Sequence, residues 1–219
     1  MVKKEDLINI GKETLKHILN KYGEVIYSSH NTIKKGDIYL LGLNPGGEGF
    51  IMIDEHLSNL LTKETNSYLD EEWENGITKW KKGEAPLQKR VCYLLEALGY
   101  NVRDICASNL IFVTSRNSDE INYGLAGYCW RFHEYLIELI QPKLILCFGI
   151  SSVSSYSFLK VLFEGEELTY DSHHGDWKCK AFNTVINNKE IKVIGVPHLS
   201  YYNIIGKDEV IKWLKDNLV

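Results

Sequence analysis

The residues best suited to chemistry are Asn44, Pro45, Gly46 and Gly47, which directly follow an apolar run at positions 38–43. Such a run, bounded by turn residues, is typical of a buried strand. Pro45 biases the preceding residue toward an extended conformation, so the Asn44 carboxamide is expected to lie rigidly at the strand end. Gly46 and Gly47 lack a Cβ, which lets a ligand approach their backbone N–H groups. The pattern predicts a ligand site at a strand end, although these residue types also favour an ordinary turn.

Helices and strands that alternate along the chain must position this segment. Apolar periodicity and turn residues predict helices over 5–22, 87–98 and 124–140, a helix start over 151–155 and a last helix from Asp208. Strands are predicted over 37–43, 105–114 and 143–148, with a hairpin over 178–196 that turns at Asn187-Asn188. The acid-rich stretch 51–80 is expected to be an ordered surface excursion. This alternation favours a largely parallel sheet covered on both sides, and residues 1–219 are predicted to form a single domain.

Composition restricts the partners and the compartment. The formal net charge of −4 provides no overall basic field for a nucleic acid, although a local basic groove stays compatible with it. The five cysteines include no C-x-x-C pair, which indicates reduced thiols and a cytoplasmic protein. No apolar run has the length of a membrane span.

Four segments, in this order, resemble motifs of the uracil-DNA glycosylase superfamily. Residues 42–46 are similar to its first motif, in the Asn-bearing form of the mismatch-specific and single-strand-selective branches. Residues 108–111 resemble the strand that ends in a base-reading Asn, and 140–149 resemble the helix–Pro–strand–Gly segment. Residues 196–200 are similar to the second catalytic motif, which is usually His-Pro-Ser. The resemblance implies a three-layer α/β/α sandwich around a central, mostly parallel four-stranded sheet.

The same resemblance implies hydrolysis of the bond between deoxyribose and uracil, or another deaminated base, in DNA. The base leaves as an anion, so a catalyst must stabilise negative charge and place a water at C1′ after the nucleotide has been flipped out of the stack. By resemblance, Asn44 positions the water, His198 donates a hydrogen bond to the departing base and Asn109 reads the base edge. Each has a plainer alternative, which is a turn cap for Asn44, a backbone contact for Asn109 and a satisfied strand-end histidine for His198.

The remaining predicted contacts surround these three side chains. Phe50 is expected to stack on the base, although a lone Phe is more often a core residue. The other substrate-binding residues that the resemblance implies are Gly42, Leu43, Pro45, Gly46 and Ser200. Residues expected to contact DNA are Ser151, Ser152, Leu199, Tyr201 and Tyr202, with one of the two tyrosines as a wedge in the gap left by the flipped nucleotide. Helix capping and ordinary packing are the alternatives.

Two departures from the family pattern bear on these expectations. Leu199 stands where the family usually has Pro, which leaves the loop less constrained. No cysteine precedes Cys92, so the iron–sulfur cluster of some branches is not expected, and neither a metal nor another cofactor is predicted. The expected partner is single- or double-stranded DNA with a damaged base, bound by a monomer. The alternatives are a weak or inactive module that binds nucleic acid or protein, and an N-glycosidase for free nucleosides or nucleotides.

Overall fold

A computed structural model describes residues 2–47, 49–116 and 120–218. The α-helices are α1 (Leu7–Thr14), α2 (Ile53–Ser58), α3 (Pro86–Ala97), α4 (Leu125–Ile140), α5 (Ser155–Leu162) and α6 (Asp208–Asp216). The strands are β1 (Ile38–Gly42), β2 (Trp73–Glu74), β3 (Lys79–Trp80), β4 (Cys106–Asn109), β5 (Leu144–Phe148), β6 (Leu168–Asp171), β7 (Lys178–Ile186) and β8 (Lys189–Val196). Helices and strands therefore alternate along much of the chain, and the predicted mixed α/β class is confirmed.

The central sheet has six strands in the spatial order β4-β1-β5-β8-β7-β6. The first four of these are parallel, whereas β7 runs antiparallel to β8 and β6 antiparallel to β7. The prediction of a mostly parallel sheet is confirmed, but the prediction of four strands is wrong. The reason is that β8 is both the last parallel strand and one arm of a hairpin, so the other arm, β7, extends the sheet and β6 adds to it.

The hairpin turn lies where the sequence predicts it. Ile186 pairs with Lys189, and the two residues between them, Asn187 and Asn188, both have positive φ, at 50° and 60°. Asn tolerates this left-handed conformation better than most residues, which suits a two-residue hairpin turn.

Both faces of β1 are covered by hydrophobic side chains. Tyr39 and Leu41 belong to one buried cluster, which also contains residues of α1, α2, α4 and α5. Ile38 and Leu40 belong to a second cluster, which contains residues of α3 and α6. Successive side chains of a strand point to opposite faces, so this partition explains why β1 is apolar at every position from 38 to 41 rather than alternating.

The first predicted helix is shorter than expected. The sequence predicts one helix over 5–22. The structure has a 3₁₀ helix at Lys4–Asp6 followed by α1, which ends at Thr14, so the observed helices fill only the first part of the predicted range. The strand predicted over 105–114 is likewise limited to β4.

An irregular segment at 23–28 covers the outer edge of β4. The Tyr27 backbone N–H donates to the carbonyl of Ala107 at 2.8 Å, and the Ser108 hydroxyl donates to the carbonyl of Val25 at 2.6 Å. An uncovered edge strand would present unpaired backbone groups, so this segment protects the sheet edge. It also brings Tyr27 close to the end of β4.

Candidate functional site

The carboxyl ends of the parallel strands bring together the residues that the sequence singles out. Gly42 and Asn109, the last residues of β1 and β4, are paired in register. Phe148 ends β5, next in the sheet, while Asn44 and His198 lie just beyond the ends of β1 and β8. In α/β sheets this edge is where ligands bind.

Gly42 permits a close approach of two side chains. A Cβ added at this position would lie 2.1 Å from Asn109 Oδ1 and 2.7 Å from Phe148 Cζ. The Phe148 ring in turn meets the His198 ring edge-on, with centroids 5.6 Å apart. Asn109, Phe148 and His198 therefore follow one another across the sheet edge, and any residue other than glycine at position 42 would displace Asn109 and Phe148.

The Asn109 side chain is buried without a partner for its amide nitrogen. The residue is 3% exposed, and Nδ2 makes no hydrogen bond within the described part of the chain. Leaving a buried donor unpaired costs about 1–3 kcal/mol. An unpaired amide of this kind, at the ligand-binding edge of a sheet, is chemically suited to donate to a carbonyl or ring nitrogen of a ligand.

Tyr27 lies next to Asn109, and the pKa of its hydroxyl is strongly shifted. Burial raises the pKa of Tyr27 well above its usual value, and the carboxylates of Glu24 and Glu71 act in the same direction. The nearby Asn109 side chain acts in the opposite direction and lowers the pKa of Tyr27, but its effect is smaller than these. Tyr27 is therefore a neutral phenol next to the Asn109 amide.

Two residues of the acid-rich stretch 51–80, Lys63 and Glu71, form a network of ion pairs with Glu24 close to Tyr27. Lys63 Nζ lies 3.0 Å from a carboxylate oxygen of Glu24 and 3.3 Å from one of Glu71. Burial opposes the charge of Lys63, but the two carboxylates hold its pKa above the usual value. This part of the stretch is thus packed and ion-paired, and it forms one side of the region around Tyr27.

Asn44 is held by its own amide hydrogens. Nδ2 donates to the carbonyl of Pro45 and to the hydroxyl of Ser115, both at 2.8 Å. The Pro45 carbonyl also accepts from the Ser115 backbone N–H at 3.1 Å, so Asn44 is fixed to the segment that follows β4. Both amide hydrogens are used, which leaves Oδ1 as an acceptor for a water or a ligand hydroxyl. The turn-cap alternative and a water-positioning role are therefore compatible.

His198 has a defined tautomer. The Ser200 backbone N–H donates to His198 Nδ1 at 3.2 Å, so the ring proton resides on Nε2. Burial lowers the pKa of His198, which keeps the imidazole neutral near pH 7. Among the described residues the only hydrogen bond of the His198 ring is the one at Nδ1, so Nε2 is available as a neutral donor.

The loop after His198 differs from expectation at two positions. Leu199 and Tyr202 are both 0% exposed, and the Tyr202 hydroxyl donates to the Ser172 carbonyl at 2.8 Å. The expectation that these two side chains contact DNA does not fit the structure, because both are part of the hydrophobic core. Tyr201 is 75% exposed and Ser200 is also exposed, so both face solvent.

The glycine-rich loop after Asn44 is open to solvent. Pro45 is buried, whereas Gly46 and Gly47 are exposed, and a Cβ on either glycine would meet no atom within 4 Å. Leu43 packs against the core. Phe50 is 87% exposed, so its ring extends into solvent instead of forming a wall beside Asn109.

The serine-rich segment before α5 forms a helix cap. Ser154 Oγ accepts from the Ser157 backbone N–H at 3.1 Å, and the Ser151 carbonyl accepts from the Ser154 and Ser157 hydroxyls. Ser151 and Ser152 are exposed, but the Ser151 hydroxyl already donates to the Val153 carbonyl at 2.9 Å. The bonds of this segment match those of a capping motif.

The described residues contain no group of three or more His, Cys, Asp or Glu side chains that could hold a metal ion. All five cysteines are free, and four of them are buried. Burial raises the pKa of each buried thiol, for example to about 11 for Cys106, which makes these groups poor nucleophiles.

Sequence reasoning missed two residues that border the site, Tyr27 and Arg90. Arg90 lies on α3 and donates to backbone carbonyls of the loop after His198. Tyr27 lies next to Asn109, and Arg90 contacts Leu199 and Ser200, so each residue meets a segment that is distant from it in the chain. Neither residue belongs to a motif. Only the fold reveals them.

Each helix in the part of the chain that the structure describes is too short or too polar to span a lipid bilayer. Compared with models of known protein families and with curated protein sequences, the chain matches none.

Proposed function

We propose that this protein is a DNA glycosylase of the uracil-DNA glycosylase type, which hydrolyses the N-glycosidic bond of uracil or another deaminated base. The observation that carries the proposal is the unpaired, buried amide of Asn109 at the same sheet edge as the neutral imidazole of His198. A flat heterocycle with adjacent carbonyl and N–H groups would satisfy both side chains.

The proposed chemistry assigns one task to each of three side chains. Asn44 Oδ1 accepts a hydrogen bond from the attacking water, since its amide hydrogens are already engaged. His198 Nε2–H donates to the base carbonyl on which negative charge develops. Asn109 Nδ2 donates to a second acceptor on the base. A carboxamide is a poor general base, so the water is oriented rather than deprotonated, and slow turnover follows.

The order of the strands supports the proposal. Three of the four parallel strands, β1, β4 and β8, carry the resembling segments at 42–46, 108–111 and 196–200 at or just beyond their carboxyl ends. Helices contribute to a buried cluster on each face of β1, in keeping with the three-layer α/β/α sandwich that we propose.

The test is release of uracil from a labelled oligonucleotide that contains a single uracil, offered single- and double-stranded and then treated with alkali to break the strand at abasic sites. We expect release, and we expect Asn44→Ala and His198→Ala to slow it at least about tenfold, because each removes a positioning or charge-stabilising group. His17→Gln, at an exposed histidine on another part of the surface, is the matched control and should leave the rate unchanged. No release from either oligonucleotide would rule out the glycosylase, and wild-type rates in both alanine variants would reject the residue assignment.

A second candidate is an N-glycosidase for free nucleosides or nucleotides. The buried positions of Leu199 and Tyr202 favour it, because they remove two of the residues expected to contact DNA, and so does the net charge of −4. Chromatography of base released from deoxyuridine or deoxyuridine monophosphate separates the two. Faster release from the free compound than from the oligonucleotide would support this candidate.

A further inference from the structure

Arg90 links α3 to the loop that carries His198. Its Nη1 donates to the Leu199 carbonyl at 2.7 Å and to the Ser200 carbonyl at 2.8 Å. These carbonyls belong to the two residues that directly follow His198. One guanidinium nitrogen therefore holds two consecutive peptide groups in a single geometry.

The same loop is closed internally by hydrogen bonds to His198. The Tyr201 and Tyr202 backbone N–H groups both donate to the His198 carbonyl at 2.9 Å, and the Ser200 N–H donates to the imidazole. These bonds determine the loop's shape but not its placement. Its placement depends on the buried side chains of Leu199 and Tyr202 and on Arg90.

We propose that Arg90 is a positioning residue for His198, which fixes the loop so that the neutral imidazole presents Nε2–H at the sheet edge. This inference rests on the proposed function. Leu199 leaves the backbone φ of the loop unrestricted, unlike a proline at this position, and the hydrogen bonds from Arg90 supply the missing restraint.

The guanidinium suits this task better than an ammonium group would. Arginine carries five N–H donors in a rigid plane and stays protonated at all relevant pH values, whereas lysine presents a single compact charge. Charge-assisted donation to carbonyls is also stronger than donation between neutral groups. Arg90→Lys is therefore expected to restore only part of the restraint.

Arg90→Gln tests the proposal without substrate. We expect the amides of Ser200, Tyr201 and Tyr202 to exchange with solvent at least about tenfold faster than in the wild type, because local opening of the loop becomes easier. We also expect the His198 imidazole, followed by NMR, to titrate closer to its ordinary pKa, because a looser loop admits water. In the base-release assay the rate at saturating substrate should fall about tenfold, with a smaller change in KM. Arg90→Lys should lie between the two proteins in all three measurements.

Lys89→Gln is the matched control, since it removes one positive charge from the neighbouring position of α3, and Lys89 is paired with Glu84 on the surface. It should behave as the wild type.

If Arg90→Gln does not fold, Arg90→Met, which keeps the apolar stem, replaces it. Wild-type amide exchange and wild-type His198 titration in the folded variant would overturn the proposal. The exchange and titration results hold whether or not base release is observed, so failure of the Arg90 inference is distinguishable from failure of the proposed function.

Discussion

The Asn109 side chain is held in an energetically unfavourable environment. Its amide nitrogen is buried and unpaired, beside a glycine that leaves room for its oxygen. Burying a polar group without a hydrogen bond destabilises a folded protein, so a position of this kind is expected where a ligand completes the bond. Asn66 is the opposite case. It is equally buried, but its amide donates to the Val102 carbonyl and its side-chain oxygen accepts from the Tyr68 N–H.

The two asparagines give a matched prediction. Asn109→Leu should leave the free energy of unfolding in urea unchanged or raise it by about 1 kcal/mol, because an apolar side chain of similar shape removes an unsatisfied donor. Asn66→Leu should lower that free energy by about 1–3 kcal/mol, because it orphans a buried carbonyl and a buried N–H. Base release should fall at least about tenfold only in Asn109→Leu.

The reverse pattern would contradict this interpretation. If Asn109→Leu lost more than about 2 kcal/mol of stability and kept its base-release rate, the amide of Asn109 would serve the fold alone.

Helix α4 holds the end of strand β4 through a buried histidine, His133. The Tyr39 hydroxyl, on β1, donates to His133 Nδ1 at 2.7 Å, and His133 Nε2 donates to the Leu110 carbonyl at 3.1 Å. His133 is 0% exposed, and burial lowers its pKa to about 4. The neutral ring satisfies both partners, and Leu110 directly follows Asn109, so this contact also supports the site.

The lowered pKa makes stability depend on pH. In the unfolded chain the histidine titrates near 6.5, so as the pH falls the unfolded state binds the proton first. The stabilisation is therefore present above about pH 6.5, is lost progressively as the pH falls below that value, and is gone once the pH has fallen through the folded value of about 4. Between pH 7.5 and pH 5 this residue should account for a loss of about 2 kcal/mol in the free energy of unfolding.

Urea unfolding of the wild type, His133→Gln and His17→Gln at the two pH values checks this. Glutamine can still donate and accept but does not titrate in this range. His133→Gln should lose about 2 kcal/mol less than the wild type between pH 7.5 and pH 5, and His17→Gln should follow the wild type. Equal losses in the wild type and His133→Gln would show that the histidine does not control this pH dependence.

Across the whole fold, local sequence patterns predict those elements that are marked by apolar runs, periodicity or turn residues. β1 and β5 are fully buried and apolar throughout, and Asn187-Asn188 marks the hairpin turn. β6 was missed because it is a short, mostly exposed edge strand. With β7 it raises the number of strands from the four predicted to six.

The site was predictable only where its residues end strands. Asn109 could be placed from the strand before it, and Asn44 and His198 from the strands that precede them. Tyr27 and Arg90 could not be predicted as site residues, because they reach the site through contacts with segments remote in sequence. The residues around them in the chain form no motif that indicates a ligand site. Burial of Leu199 and Tyr202 was missed for the same reason, since the loop's orientation is set by the residues against which it packs.

In the proposed function, Asn109 and His198 contact the same flat heterocycle. Titration of the protein with uracil, followed by the NMR signals of the Asn109 side-chain amide and of the His198 Nε2–H, tests it most directly. We expect both signals to shift along a single saturation curve, because one ligand contacts both groups. Shifts in neither signal, or in only one of the two at saturating uracil, would contradict it.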